Sequence, residues 1–152
     1  MGTTTTIAQL PSLKGQELGT SDWVEVTQDR VNLFADATDD HQWIHIDVER
    51  AEKESPFGGP IAHGYLTLSL IIPMYGQVLK VSDARMGVNY GLNKVRFPAP
   101  VPVGSRIRLR ATLQDVEEIQ GGYQVTVSGV IEREHGDKPV CVAEPVFRVY
   151  GG

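Results

Sequence analysis

The sequence predicts an α+β fold in which a strongly curved antiparallel β-sheet wraps around a long central apolar helix. Three observations lead there. Helical signals cluster in the first half of the chain, and long alternating strands fill the second. The run 62–72 is apolar almost all round, and a helix without a polar face is buried on most sides. A sheet with enough surface to cover such a helix must curve around it. With 152 residues, one domain is the simplest organisation, and a chain of this size buries roughly two-thirds of its unfolded surface. No internal repeat and no linker divides it.

Residues 1–20 are rich in Thr and Gly and include Pro11. They read as an N-terminal arm leading into a domain over 21–152. Trp23-Val24-Glu25-Val26 alternates as a short strand. Thr27 is placed to cap a helix over about 28–38, with Asp29 in its first turn and Val31, Phe34, Ala35 and Thr38 at helical spacing. That helix ends at Asp39-Asp40. Asp47 can cap a second short helix through Ala51 and Lys53, which Ser55-Pro56 stops. Phe57-Gly58-Gly59-Pro60 is a loop by composition. The apolar helix follows, and Pro73 should end or kink it, although Met74, Tyr75, Val78 and Leu79 extend its pattern.

From about residue 84 the period changes to two. Met86, Val88 and Tyr90 alternate, Val95 and Phe97 resume after Gly91, and Pro98-Ala99-Pro100 breaks the run. Ile107, Leu109, Ala111 and Leu113 alternate with Arg106, Arg108, Arg110 and Thr112, the clearest half-buried strand in the chain. Gly121-Gly122 makes a turn, and Tyr123, Val125 and Val127 alternate after it. His135-Gly136-Asp137-Lys138 makes another turn. Val140, Val142, Val146 and Phe147 form the last strand, in which Pro145 marks an edge or a bulge.

Composition excludes several function classes. The net charge is −5 with both signs interspersed, which argues against a nucleic-acid partner. Cys141 is the only cysteine, so an intrachain disulfide and a zinc–thiolate cluster are impossible. One lone thiol fits a reducing, cytoplasmic setting. No apolar run reaches membrane-spanning length. Residues 1–6 lack a basic stretch before an apolar one and so do not form a secretory signal. They match the loose myristoylation pattern through Gly2 and Thr6, but read as a polar tail.

The chemistry concentrates in Asp39-Asp40-His41-Gln42-Trp43-Ile44-His45-Ile46-Asp47. Three carboxylates and two imidazoles share nine residues with apolar side chains that favour burial. That mixture suits a polar site in an apolar wall. Asp40 and His45 offer a carboxylate and an imidazole that switches charge near neutral pH. Two such groups on one water can remove a proton and return one. The spacing alone also fits a helix-terminating Asp and an incidental His. His63-Gly64 opens the apolar helix, where the first N–H groups lack internal partners. Gly64 has no side chain to keep a ligand oxygen from its N–H; a tight turn would equally require glycine. His41 and His45 have the spacing of a zinc-protease helix, but Gln42 replaces the glutamate of that motif and no third ligand is evident, so no metal site is expected. Arg106, Arg108 and Arg110 read as a solvated sheet face. Asn93, Lys94 and Arg96, before the Pro98 break, have a better claim as ligand contacts. Cys141 reads as a small buried apolar residue.

Taken together, Asp40-x4-His45-x-Asp47, then Phe57-Gly58-Gly59-Pro60-Ile61-Ala62-His63-Gly64, then Val95-Arg96-Phe97-Pro98-Ala99-Pro100-Val101 with Gly104, resemble the MaoC-like dehydratases, which include the (R)-specific enoyl-CoA hydratases. The resemblance spans about residues 20–150. The wording of residues 40–45 is similar to the subgroup of nodulation protein N and mycobacterial short-chain hydratases. It implies a hot-dog fold, a homodimer whose sheets join edge to edge, and an acyl-CoA thioester lying in a tunnel near the subunit interface. It implies no cofactor beyond the coenzyme A of the substrate. The family's catalytic Asp and His fall on Asp40 and His45, and its oxyanion donor on the Gly64 backbone N–H. His63, Asn93 and Arg96 are expected near the substrate. Where many members have Asn-Pro between the catalytic residues, this chain has Gln42-Trp43, so these two should shape the pocket. The implied reaction is reversible hydration of a trans-2-enoyl-CoA. The rivals are a hot-dog thioesterase and a non-catalytic acyl-CoA-binding protein. The first usually carries a carboxylate on the central helix, whereas residues 65–75 contain no Asp or Glu; the second has no need of the Asp40/His45 pair.

Overall fold

A computed structural model describes residues 2–152; Met1 lies outside the described residues. The elements run in chain order as follows: β1 (Thr3–Thr5), a 3-10 helix (Ile7–Leu13), β2 (Glu17–Thr20), β3 (Val24–Glu25), α1 (Gln28–Thr38), α2 (Trp43–Ile46), α3 (Val48–Glu54), α4 (Gly64–Ser69), α5 (Ile71–Val78), β4 (Leu79–Val81), β5 (Ala84–Arg96), β6 (Arg106–Ile119), β7 (Gly122–Arg133) and β8 (Cys141–Gly151). The main sheet has the order β2-β6-β7-β8-β5, with β3 also on β6, and its pairings are antiparallel.

The expected alternation is visible as burial. Ile107, Leu109, Ala111 and Leu113 of β6 and Val125, Val127 and Ile131 of β7 point into the core. Against them pack Leu66, Leu70, Ile71, Met74 and Val78 of α4 and α5. The opposite face carries the arginines. Arg108 pairs with Glu132 at 2.6 Å, Arg106 with Glu134 and Arg110 with Glu132, and Arg108 lies over the Trp23 ring at 4.3 Å. A solvated face was expected there, and these half-exposed pairs each add at most about 1 kcal/mol.

Pro145 sits inside the sheet, on β8 between β7 and β5. It faces Leu92 of β5, and the pairing slips on either side, between Asn89 and Gly91 and between Leu92 and Val95. The proline therefore marks a bulge and not an edge. Bulges increase local twist, which helps the sheet curve.

Two expectations are corrected. The central helix is not one long rod. It breaks at Leu70 into α4 and α5, and Pro73 falls in the first turn of α5, where a missing N–H is best tolerated. Nor is it covered on all sides, since Tyr65 is 70% and Ile72 43% exposed. The second correction concerns residues 1–20, which are not an arm standing off the domain. β1 pairs in parallel with β4, β2 pairs with β6, and the Ile7 N–H donates to the Asp83 carboxylate at 2.8 Å. Leu10 and Leu18 lie in the core. A Cβ on Gly2 would stand 2.1 Å from the Gln77 carbonyl oxygen, so the chain is seated tightly from its first described residue.

Leu10 is wholly buried, so Leu10→Ala should cost about 2–5 kcal/mol of unfolding free energy in urea denaturation. An unchanged midpoint would mean that the N-terminal segment is dispensable to the core.

Candidate functional site

The site begins where α1 ends. The Thr27 hydroxyl accepts from the Arg30 N–H and starts the helix. Asp39 takes the left-handed conformation with φ 57°, and both its N–H and that of Asp40 bond to the Ala35 carbonyl. This is a helix C-terminal cap made with Asp in place of glycine. It turns the chain sharply and presents Asp40 beside the next segment.

Residues 43–46 then form the single helical turn α2, where no helix was expected. Its supports come from elsewhere in the fold. The Gln28 side-chain amide donates to the His45 carbonyl at 2.8 Å. The Ile61 N–H donates to the Ile44 carbonyl at 3.0 Å. His45 is thereby buried, at 7% exposure. Its Nδ1–H donates to the Ile61 carbonyl at 2.6 Å. A carbonyl can only accept, so Nδ1 carries the proton and Nε2 keeps its lone pair. Ile61 thus bonds to both Ile44 and His45 through its main chain.

His63 precedes α4, and its carbonyl accepts from the Leu66 and Thr67 N–H groups. Its ring is 2% exposed. Its Nε2–H donates to the Asp40 main-chain carbonyl at 3.0 Å. The His45 and His63 rings stack with centroids 3.9 Å apart and planes 25° from parallel, and Phe34 packs on His63 at 4.9 Å. Asp40, His45 and His63 each offer one donor atom, all within 4.8 Å of one another. The structure therefore brings together Asp40, His45, His63 and Gly64, which the sequence places in two separate stretches.

Burial holds the His45 imidazole below the ordinary histidine value of 6.5. The bond to Ile61 opposes this, His63 reinforces it, and the Asp40 carboxylate opposes it. The balance favours the neutral ring, whose free Nε2 accepts protons.

A cavity of about 410 Å³ adjoins Gly64 and is lined by Phe57, Ile61, Ala62, Thr67, Phe97, Val101 and Val140 among others. Asp40 and His45 do not line it; they stand next to it through Ile61 and Gly64. A Cβ on Gly64 would come within 3.1 Å of the Phe97 ring, so glycine is what lets the chain pass that wall. The other expected contacts lie further out. Gln42 is exposed just before α2, and Trp43 packs under the Arg50 guanidinium at 4.2 Å. Asn93 and Arg96 are exposed on β5, and Arg96 bonds the Val95 carbonyl. His41 pairs with Asp36 at 2.9 Å, away from His45, and Asp47 caps α3 through the Arg50 N–H. The sequence reading missed Ile61 and Gln28. Ile61 acts through its backbone, which leaves no side-chain signal, and Gln28 looks like any exposed first-turn residue.

A curved antiparallel sheet packed on a helical segment, with a carboxylate and two imidazoles at the helix start, is a hot-dog fold carrying a candidate acid–base site. The MaoC like domain matches residues 9–134. The chain is 52% identical to 3-hydroxyacyl-thioester dehydratase Z of Mycobacterium tuberculosis H37Rv, covering 97% of this chain and 98% of that protein. It is 48% identical to nodulation protein N of Rhizobium leguminosarum bv. viciae, covering 90% and 86%. Its fold matches the crystallised (R)-hydratase of A. caviae with a TM-score of 0.71 at 23% identity, covering 88% and 94%. The chain belongs to the MaoC-like dehydratase family.

An NMR titration should place the His45 midpoint below 6.5, the direction of its shift. The unfolded chain takes up that proton first as pH falls. Stability present above about 6.5 should therefore be lost as pH drops through the folded-state midpoint, and His45→Gln should remove that component. A His45 midpoint at or above 6.5 would contradict the burial described.

Proposed function

We propose that this protein is an (R)-specific enoyl-CoA hydratase, adding water reversibly across a trans-2-enoyl-CoA to give the (R)-3-hydroxyacyl-CoA. One observation carries the reading: the Asp40 carboxylate and the His45 imidazole, whose Nδ1 is committed to Ile61, lie within 4.8 Å of each other and of His63, and Gly64, the next residue, lines an apolar cavity. The dehydratase name of the mycobacterial relative, 52% identical to this chain, supports it, because dehydration is the same reaction in reverse.

The Asp40 carboxylate and His45 Nε2 are both acceptors, so a water between them turns its protons to them and a lone pair to C3. Its oxygen bonds C3 as one proton passes to the Asp40 carboxylate, and the protonated Asp40 then returns that proton to C2 from the same face, giving syn addition. His45 Nε2 accepts a hydrogen bond from the other O–H, which stays on the 3-hydroxyl of the product. Electron density moves onto the thioester oxygen, where the Gly64 N–H receives it; that N–H precedes the first internal bond of α4, from Leu66 to His63. One C–O and one C–H bond form with no net oxidation, so nicotinamide or flavin has no part. His45 Nδ1 and His63 Nε2 are engaged by the Ile61 and Asp40 carbonyls, so each ring has only its other nitrogen left for a ligand. Arg96, adjacent in sequence to Phe97 of the cavity wall, and Asn93, earlier on β5, are both exposed and are proposed to meet the coenzyme. α4 and α5 carry no Asp or Glu, which argues against a thioesterase. The chain's one cysteine, the buried Cys141, fits a reducing cytoplasmic setting.

The active form is proposed to be a homodimer. β5 is a 13-residue edge strand with Met86, Tyr90 and Leu92 exposed. Such an edge is a template for pairing, and a second copy would cover it.

Given crotonyl-CoA and longer enoyl-CoAs, the protein should deplete conjugated enoyl-thioester absorbance without releasing thiol. Asp40→Asn and His45→Gln should each lower kcat by about 100-fold or more while staying folded. Thiol release, or an active double mutant, would sink the assignment. Sedimentation should report twice the 16.7 kDa chain mass, reduced towards one by Met86→Lys with Leu92→Lys; a wild-type monomer would refute the dimer.

A further inference from the structure

We infer that His63 is a positioning residue for the Asp40/His45 pair and not a contact for the substrate; this rests on the hydratase reading above. The Asp40 side chain is exposed, and no hydrogen bond or ion pair from another described residue holds its carboxylate. The fold therefore places this carboxylate only through the residue's backbone. That backbone has two anchors. The Asp40 N–H is tied to Ala35 at the end of α1, and the Asp40 carbonyl is tied to His63 Nε2–H. Past it the chain is tied again through the His41 ring, to Asp36, and through the Gln42 carbonyl, to the His45 N–H, but neither bond holds the Asp40 carbonyl itself.

His63 also limits the other member. The Nδ1 bond to Ile61 fixes one point of the His45 ring but leaves it free to rock about that bond. The stacked His63 ring closes one side, and Phe34 backs His63. The same residue sits immediately before Gly64, so one side chain ties the pair to the N–H proposed to receive the developing charge.

A purely packing role does not account for this imidazole. His63 Nδ1 is buried with no hydrogen-bond partner among the described residues. A buried polar atom left unsatisfied costs about 1–3 kcal/mol. An apolar ring would avoid that cost while keeping the stack. What an apolar ring cannot supply is the Nε2–H donated to Asp40.

The test compares two amides that differ in reach. The Gln amide stands where Nε2 stands and can donate to the Asp40 carbonyl, whereas the Asn amide falls short; both lose the stack. With crotonyl-CoA, His63→Gln should keep kcat within about tenfold of wild type. His63→Asn should lose about 100-fold in kcat with KM within about threefold, as expected when a catalytic group is misplaced by about 1 Å. In an Asp40→Asn background, the difference between the two variants should vanish, because His63 acts through Asp40. Equal losses in Gln and Asn variants of matched melting temperature would overturn the inference. So would a rise in KM at constant kcat, or a difference that persists in the Asp40→Asn background. Should the Asn variant fail to fold, His63→Phe takes its place, since it keeps a stacking ring without the Nε2–H: it should lose about 100-fold in kcat, and that loss must disappear in the Asp40→Asn background. If Asp40→Asn itself retains wild-type kcat, the hydratase reading fails first, and that result is distinct from any effect at position 63.

Discussion

The hydrogen bond from His45 Nδ1 to the Ile61 carbonyl decides what the site can do. A buried imidazole must place its proton on one nitrogen, and a carbonyl at 2.6 Å settles which. An unsatisfied buried N–H would cost about 1–3 kcal/mol, roughly a five- to hundredfold bias towards this tautomer. Ile61 can serve because its own segment is sewn down. The Ala62 N–H donates to Val101, the Val103 N–H to Pro60, and the Ile61 N–H to Ile44. The orientation of the imidazole is thus inherited, through two main-chain bonds, from the loop between β5 and β6. The sheet does not supply the groups proposed to react; it fixes the strap that orients one of them.

Much of the frame was legible because its causes are local. Thr27 caps α1, and Asp47 caps α3, as an oxygen placed before a helical run should. β6 and β7 alternate because one face is core and the other solvent. The parts that escaped have distant causes. Ile44 and His45 are too short a run to show a helical period, and α2 is held from Gln28 and Ile61. The apolar pattern from 62 to 79 looks the same whether the helix is continuous or broken at Leu70. Residues 1–20 are polar by composition, yet Leu10 and Leu18 reach the core because β4 and β6 offer them edges. In the site, Asp40, His45 and Gly64 were evident from motif order, whereas the main-chain links between them leave no trace in residue type.

The same physics explains why a lone chain is open on one side. Tyr65 and Ile72 of the helical segment and Met86, Tyr90 and Leu92 of β5 leave a broad apolar margin exposed. A second apolar cavity of about 350 Å³ lies there, between Leu68, Ile72, Leu92 and Phe147. The homodimer proposed from the β5 edge would cover that margin and give the helix the apolar surroundings its composition calls for.

The central claim is that one water, held between Asp40 and His45, delivers oxygen and hydrogen to the same face of the double bond. Hydration of crotonyl-CoA in deuterium oxide, with NMR assignment of both new stereocentres, tests it most directly. Syn addition yielding the 3R alcohol with a single deuterium configuration at C2 is the predicted result. Anti addition, a 3S product or scrambled deuterium at C2 would contradict it.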